Sequence, residues 1–416
     1  MVNFKKLKYK IDSLTVFRAL KDDPAIIALQ KLLENFDVAS YSDFVATFYP
    51  TGSNFSDYLH RLVLTDDNFY VRMVASGDKI DSDIVRAVRQ ELEHIEEISQ
   101  ITSDDIISEM GSPIDGLPHW QTSKYNFLKD FTTKLSNISS TGYGIFAQYT
   151  FFRVVDREIV PVSHPDYQSL DVLFEYERER NLIIKNTEAL ISGEGASNML
   201  LYGDMGTGKS STIKAVAAAY SNQGLRIVEI KKNQLFQIPD IMEQLSSNPL
   251  KFILFIDDLS FSGNDDNFSA LKATLEGSIS GCGDNTVIYA TSNRRHLVRE
   301  STADRNTDEL HLNDMLQETM SLAARFGLTI TFSKPGKDEY LSIVRSLAEE
   351  YGLCVIDNTK DAPTTGENPA DSCKGNLLAP ITEEELYKKA EAFAIRRSGR
   401  SPRTARQFIE LLKIGI

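Results

Sequence analysis

Residues 198–212 read NMLLYGDMGTGKSST, and this stretch decides how the rest of the chain is interpreted. Its apolar residues 199–202 predict a short buried strand, and residues 211–220 predict a helix. Between them, residues 203–210 fit the pattern G-x-x-x-x-G-K-[ST], in which a glycine-rich backbone cradles phosphate groups. The sequence therefore predicts a phosphate-binding loop between a strand and a helix.

The residue types in this loop suit phosphate and metal binding. Gly203, Gly206 and Gly208 allow backbone angles that side chains would block, so that successive N–H groups can face phosphate oxygens. The dipole of the following helix adds positive potential at the same point. We expect Lys209 to reach the β- and γ-phosphates of ATP and the Ser210 hydroxyl to ligate Mg²⁺. The expected nucleotide-binding residues are Gly203, Asp204, Met205, Gly206, Thr207, Gly208, Lys209, Ser210 and Ser211.

The composition indicates a soluble, multidomain protein. The chain has 416 residues, which exceeds the size at which single cores usually stop growing, so two or three domains are expected. The net charge of −14 argues against broad, nonspecific nucleic-acid binding. The sequence contains neither a signal-peptide pattern nor an apolar run long enough for a membrane span, which predicts a cytoplasmic protein. The three cysteines show neither metal-site spacing nor a disulfide pattern; they are Cys282, Cys354 and Cys373.

Three domains are expected along the chain. Residues 1–164 show apolar stripes at helical spacing and end in a β-branched and aromatic stretch, 143–162, that predicts a strand or hairpin. Within this part, Trp120 is interpreted as a packing residue in preference to a base-stacking platform. Residues 165–334 alternate strands with helices, which indicates a three-layer α/β sandwich with a parallel sheet. Its five expected strands are 199–202, 225–230, 252–256, 287–290 and 328–332.

The last expected domain, residues 335–416, is a small helical lid. Its helices are expected at 338–351, 383–394 and 403–412. Residues 358–376 are polar, rich in Pro and Gly and without periodicity, which predicts a mobile insertion.

An acidic pair follows the third strand of the expected sheet. In FILFIDDLSF, Asp257 comes directly after a wholly apolar strand, at the edge where open α/β sheets bind ligands. A carboxylate there can hold Mg²⁺ together with Ser210, and Asp258 is the candidate that polarises the attacking water. An acidic turn at a strand end is the structural alternative, which the phosphate loop about 50 residues upstream disfavours.

Other polar residues are expected near the γ-phosphate. The fourth strand ends in ATSNRRHL, which places Asn293 beside the γ-phosphate, with Thr291 as the second candidate. Arg294 and Arg295 are interpreted either as phosphate or intersubunit contacts or as solvated residues. Arg325 precedes the fifth strand and is the candidate arginine finger, acting on the nucleotide of another subunit. Arg403 begins the last lid helix and is the candidate that senses the phosphate from the lid.

Together these motifs resemble those of AAA+ ATPases. The resemblance rests on GDMGTGKSS at 203–211, FIDDLSF at 255–261, YATSN at 289–293, ARFG at 324–327 and SGRSPR at 398–403. The run FIDDLSF, LKATLEG and YATSNRRHL is similar to a bacterial AAA+ ATP-binding family of unestablished function, and the acidic pair and ARFG also resemble those of replication initiators and helicase loaders. The resemblance implies a P-loop NTPase fold, ATP and Mg²⁺ as ligands, and self-association into an oligomer.

The sequence departs from the AAA+ pattern at two positions. Most AAA+ proteins have Glu where Asp258 stands, and the shorter side chain favours slow hydrolysis. Glu175 stands where a small residue is expected near the adenine pocket.

The leading interpretation is an ATPase that works at subunit interfaces to remodel or load an unknown macromolecule, with protein or DNA as the target and no membrane involvement. The alternative is a slowly hydrolysing, ATP-gated switch that recruits a partner. A small-molecule kinase would explain the loop but not Asn293, Arg325 or Arg403.

Overall fold

The chain forms two compact units. The computed structural model describes residues 2–111, 116–260, 266–275, 284–293, 324–356, 380–397 and 399–415. The first unit comprises Met1–Tyr149 with Ser247–Leu250, and the second comprises Thr150–Ser246 with Lys251–Ile416. The sequence predicts this boundary at residue 164 instead. The units divide earlier because the strand that begins at Phe151 pairs with the sheet of the second unit.

The first unit is mostly helical in its described part, apart from a non-helical segment at 116–126 in which Gln121 forms an isolated β-bridge with Asn54. Its helices are α1 (Phe4–Asp12), α2 (Pro24–Asn35), α3 (Val38–Phe48), α4 (Phe55–Thr65), α5 (Phe69–Ser76), α6 (Ser82–Ser99), α7 (Ser103–Met110), α8 (Phe127–Ser136), α9 (Ile138–Thr141) and α10 (Ile145–Gln148). Polar side chains cap many of them; Asp23, for example, accepts hydrogen bonds from the first turn of α2, which starts with Pro24. Such helices begin where the local sequence satisfies their exposed N–H groups.

Aromatic side chains form the centre of the first unit's core. Trp120 is buried, and its indole N–H donates to the carbonyl of Ile101 at 2.8 Å. The rings of Phe44 and Trp120 pack edge to face with centroids 5.2 Å apart. This arrangement confirms the packing role predicted for Trp120.

A seven-stranded sheet organises the second unit. Its strands are β1 (Phe151–Val155), β2 (Glu158–Pro161), β3 (Met199–Gly203), β4 (Leu225–Glu229), β5 (Lys251–Ile256), β6 (Thr286–Ser292) and β7 (Leu328–Phe332), in the order β2-β1-β4-β5-β6-β3-β7. The five predicted strands, β3 to β7, are present and mutually parallel. The sheet has two more strands than predicted, because β1 pairs in parallel with β4 and β2 returns antiparallel to β1.

Helices cover both faces of this sheet. They are α11 (Glu177–Ser192), α12 (Lys209–Ala219), α13 (Ile238–Ser246) and α14 (Asp266–Leu275). The chain crosses the sheet in one direction from β3 to β4 and returns from β4 to β5, so right-handed crossovers place α12 and α13 on opposite faces. Apolar residues of α11 and α12 pack on the sheet, including Ile183, Ile213 and Val216. The second unit is therefore the predicted P-loop α/β sandwich.

The helical lid belongs to the second unit. It comprises α15 (Lys337–Glu350), α16 (Glu383–Arg396) and α17 (Pro402–Lys413), with a two-stranded pair, β8 (Val355–Ile356) and β9 (Ile381–Thr382). Its core includes Tyr340, Leu386 and Phe408. The three helices lie where the sequence predicts them.

Some sequence-based expectations fall outside the described residues. These are the mobile insertion at 358–376 and the roles of Arg294 and Arg295. Cys354 is disulfide-bonded, so the expectation of no disulfide was wrong for this residue; Cys282 and Cys373 both lie outside the described part. Of the helices described, none combines the length and apolar composition needed to cross a bilayer.

Candidate nucleotide-binding site

The phosphate loop leaves β3 through a position that only glycine fits. Gly203 pairs with Phe332 in the sheet and has a φ of +137°. A Cβ atom at Gly203 would lie 2.0 Å from the carbonyl oxygen of Phe332, which is backbone and cannot rotate away. Close contact between β3 and β7 therefore requires glycine where the loop begins.

The next two glycines shape the loop itself. Gly206 and Gly208 have φ values of +80° and +92°, which are left-handed conformations that side chains disfavour. Gly208 is the N-cap of α12, so the loop lies at the positive end of that helix. The lid approaches the same loop, since the amide of Arg403 donates to the carbonyl of Gly206 at 3.2 Å. Loop, helix terminus and lid thus meet at one point.

Lys209 is the buried cation of the site. Its side chain is in the first turn of α12, and the residue is 5% exposed. The ammonium donates to the carbonyls of Gly203 and Asp204, at 2.9 and 2.7 Å, and to Oδ1 of Asn293 at 3.1 Å. Burial lowers the pKa of Lys209, and the neighbouring Asp204 carboxylate opposes that shift. Its three hydrogen bonds hold the ammonium against the start of the loop and against Asn293.

The acidic pair lies across from this loop, at the carboxyl end of β5. The Ser210 hydroxyl donates to Oδ1 of Asp257 at 2.6 Å, so the two expected metal ligands lie side by side. The Asn293 amide donates to Oδ1 of Asp258 at 2.7 Å. Since Asn293 also accepts from Lys209, one continuous set of hydrogen bonds joins the loop lysine to the acidic pair. The structure brings together the residues selected from three separate motifs.

Arg325 lies at the other end of the sheet. It lies three residues before the start of β7 and is half-buried, whereas the phosphate loop faces the carboxyl end of that strand. Five strand residues span about 16 Å at roughly 3.3 Å per residue, which is longer than an arginine side chain. Arg325 therefore does not join the site of its own chain.

A cleft of about 640 Å³ extends from the phosphate loop between the sheet edge and the lid. One face of α17 lines it over about two turns, through Arg403, Arg406, Gln407 and Glu410. Arg403 lies at the phosphate-loop end, as the sequence predicts. The sequence-based reasoning missed Arg406, although its i, i+3 spacing from Arg403 places both on one helix face.

The far wall of the cleft lies where the sequence places the adenine pocket, next to Glu175. It includes Val172, Leu173 and Phe174, and Phe174 packs on the lid core that contains Ile343 and Leu347. These apolar side chains provide a slot suited to a planar base. Glu175, flagged in the sequence as a departure, lines this wall.

Arg180 holds this wall in place. Its guanidinium donates to the backbone carbonyls of Leu170, Leu173 and Glu175. The backbone between wall and helix is bent, because Glu175 and Tyr176 both have positive φ. Burial lowers the pKa of Arg180. No motif predicts this contact, because the partners of Arg180 are main-chain atoms.

The residues present fit ATP and Mg²⁺. Left-handed glycines turn the loop, a buried ammonium lies beside it, and the cleft continues to an apolar slot. Ser210 and Asp257 supply hydroxyl and carboxylate oxygens, and Mg²⁺ in nucleotide sites is held by one or two such groups together with phosphates.

Comparisons with known proteins identify a family without an assigned function. A family model described as "Protein of unknown function (DUF815)" matches residues 147–365. No curated protein matches the sequence. Among solved structures, the chain is similar to PCH-2 from C. elegans, with 18% identity, a TM-score of 0.33 and coverage of 59% of this chain and 72% of that chain. It is also similar to a mutant of RuvB from Thermotoga maritima, with 16% identity, a TM-score of 0.31 and the same coverages, 59% and 72%. Because both TM-scores are low, the fold assignment rests on the strand order and loop geometry of this chain.

Proposed function

The chain belongs to the family described as "Protein of unknown function (DUF815)", and we propose that it is an AAA+ ATPase that binds and hydrolyses Mg-ATP at interfaces between subunits to remodel or load a macromolecular target. The observation that carries this proposal is the hydrogen-bonded set of Lys209, Asn293 and Asp258, with Ser210 and Asp257 beside it. A glycine turn with a structural role would not need this arrangement.

Each residue of the site has a role suited to phosphoryl transfer. This reaction depends mainly on positioning and on neutralising charge on the phosphates. Lys209 and the loop amides bind the phosphate oxygens, and Ser210 and Asp257 would hold Mg²⁺, which would neutralise phosphate charge when bound. Asp258 accepts a proton from the attacking water, and Asn293 orients that carboxylate and the water. Arg403 contacts the phosphates from the lid and couples their loss to lid movement.

Arg325 completes the site of a neighbouring subunit. It precedes β7 at the sheet edge opposite the phosphate loop, so its own nucleotide is out of reach. A heterologous, head-to-tail interface would bring this edge of one subunit against the cleft of the next. The active unit is therefore an oligomer.

Mixing two inactive variants tests this assignment. Arg325→Ala is expected to lower turnover by about 10³ or more, the effect of losing an arginine finger. Asp258→Asn is expected to lose turnover because its own cleft lacks the carboxylate that accepts a proton from water. In a 1:1 mixture, about a quarter of head-to-tail interfaces pair an intact Asp258 with an intact Arg325, so about a quarter of wild-type activity should return.

Two controls accompany the mixture. Sedimentation of each variant with a non-hydrolysable ATP analogue checks that it still assembles, and a Lys209→Ala, Arg325→Ala double variant mixed with Asp258→Asn should restore nothing. If the simple mixture stays inactive while both variants assemble, Arg325 does not act between subunits. If the wild type binds no ATP analogue, the whole proposal fails.

The second candidate function is a slowly hydrolysing, ATP-gated switch that recruits a protein or DNA partner. The shorter Asp258 side chain, held by Asn293 at 2.7 Å, favours it. A single-turnover rate near that of unstimulated switch GTPases, about 10⁻⁴ s⁻¹, would select the switch. Substituting Asp258→Glu, which restores the usual length, should then raise the rate; an unchanged rate would oppose this explanation.

A further inference from the structure

Thr291 occupies a buried position between the sheet and the acidic pair. It lies near the end of β6, and the residue is 1% exposed. Its carbonyl accepts a hydrogen bond from the amide of Leu259 at 2.7 Å, which ties the residues after β5 to β6. Thr291 therefore lies against the turn that carries both carboxylates.

The hydroxyl of Thr291 contacts both members of the acidic pair. It donates to Oδ1 of Asp257 at 2.6 Å and accepts from the amide of Asp258 at 3.0 Å. A hydroxyl has one proton to donate, and here that proton is engaged by Asp257. Thr291 thus has no second proton to donate to a phosphate. The sequence makes Thr291 the second candidate, after Asn293, for a residue beside the γ-phosphate.

The turn that Thr291 contacts is strained. Asp258 has a φ of +51°, a left-handed conformation that residues with a side chain disfavour. Its amide is held by Oδ1 of Asp257 at 3.1 Å as well as by Thr291. Since the Asp257 oxygen and the Thr291 hydroxyl are themselves hydrogen-bonded, the three groups form a closed set that keeps the turn bent.

We propose that Thr291 is a positioning residue that sets the affinity of the site for its divalent cation, by fixing the carboxylate of Asp257 and the turn that carries Asp258. This inference rests on the proposed function, because it takes Asp257 as a ligand of the cation. Groups that orient a ligating carboxylate typically contribute 10- to 100-fold to metal affinity. The role differs from that of Asn293, whose side chain hydrogen-bonds to Asp258 and Lys209.

A direct test is a Mg²⁺ titration of the binding of a fluorescent ATP analogue to the full chain. Thr291→Val keeps the shape of the side chain and removes the hydroxyl, so the Mg²⁺ concentration at half-saturation should rise about 10-fold or more. Binding of the analogue in EDTA should stay at the wild-type level. Thr291→Ser keeps the hydroxyl and should restore a Mg²⁺ requirement near that of the wild type.

A matched control lies on the same strand. Thr286 is also buried, and its hydroxyl donates to Asn285 instead of to the acidic pair. Thr286→Val makes the same chemical change and should leave the Mg²⁺ requirement unchanged. If Thr291→Val does not fold, Thr291→Ala removes the same hydroxyl with a smaller side chain and takes its place.

The outcomes separate this inference from the proposed function. A wild-type Mg²⁺ requirement in Thr291→Val, or equal shifts in Thr291→Val and Thr286→Val, would overturn the role of Thr291 alone. Failure of the wild type to bind the analogue with Mg²⁺ would overturn the proposed function and this inference with it.

Discussion

Replacing Gly203 by alanine should destabilise the second unit more than the same change at a glycine in open space. The new methyl group would lie 2.0 Å from the Phe332 carbonyl oxygen and 2.7 Å from its carbonyl carbon. Because both atoms belong to the adjacent strand, relief requires β3 and β7 to move apart. The φ of +137° at Gly203 is also one that alanine rarely adopts.

The expected cost has two parts. Backbone strain at an unfavourable φ contributes about 2 kcal/mol, and overpacking against the strand contributes about as much again, for a total of about 4 kcal/mol. Gly193 provides the matched control, since it ends α11 in the same unit with a φ of +74°, and a methyl group there would have no atom within 4 Å. Gly193→Ala should therefore cost only the left-handed strain, about 1–2 kcal/mol.

The assay is urea unfolding followed by far-ultraviolet circular dichroism, without nucleotide. Hydrogen exchange of peptides from β3 and β7 adds a local reading of the opening free energy of those strands. Gly203→Ala should lower the free energy of unfolding, and the local opening free energy of β7, by at least about 2 kcal/mol more than Gly193→Ala does. Equal losses in the two variants would refute the claim that close packing of β3 against β7 fixes the start of the phosphate loop.

Two further predictions concern the first unit, and both use the fluorescence of its buried Trp120 during urea unfolding. The buried carboxylate of Glu91 accepts hydrogen bonds from the amides of residues 15–17. Glu91→Ala should therefore lower the free energy of unfolding by about 3 kcal/mol, because those amides lose their partner. Glu93 lies exposed on the same helix, so Glu93→Ala should lower it by less than about 0.5 kcal/mol. Burial lowers the pKa of Lys134 from 10.5 to about 8, so the folded state favours the neutral amine. The free energy of unfolding of the wild type, relative to that of Lys134→Met, should therefore rise between pH 8 and pH 10.5, by no more than about 3 kcal/mol. A difference between these two proteins that is constant with pH would contradict the Lys134 assignment.

Local patterns predict the strands of the sheet well but not all of their partners. The predicted fifth strand coincides with β7, because an apolar, β-branched run ends at turn residues on both sides. The sequence also predicts a strand at β1, but within the first domain. Its partner, β4, lies far along the chain, as in the pairing of Phe151 with Ile227, and nothing in the residues of β1 specifies a parallel neighbour. Existence of a strand is a local property, whereas its place in a sheet is a property of the whole fold.

The two ends of the cleft also differ in how well the sequence predicts them. The phosphate end is formed by residue types that the chemistry demands at fixed spacing, so Gly203, Lys209 and Asp257 can be recognised without coordinates. At the other end, main-chain atoms and apolar side chains form the wall, and these occur in every sequence. Arg180 acts there through carbonyl groups, so its position is meaningful only once the chain has folded.

This asymmetry bears on how nucleotide selectivity would arise. In the proposed function, triphosphate binding would depend on a loop that tolerates little change, because its glycines have left-handed φ values and one contacts the neighbouring strand. The base, by contrast, would contact a wall whose shape depends on the hydrogen bonds from the Arg180 guanidinium to three backbone carbonyls. Arg180→Lys keeps the charge but cannot donate to three divergent acceptors from a planar fork. Changes at the base end should therefore alter the preference among nucleotides while leaving phosphate and metal binding intact.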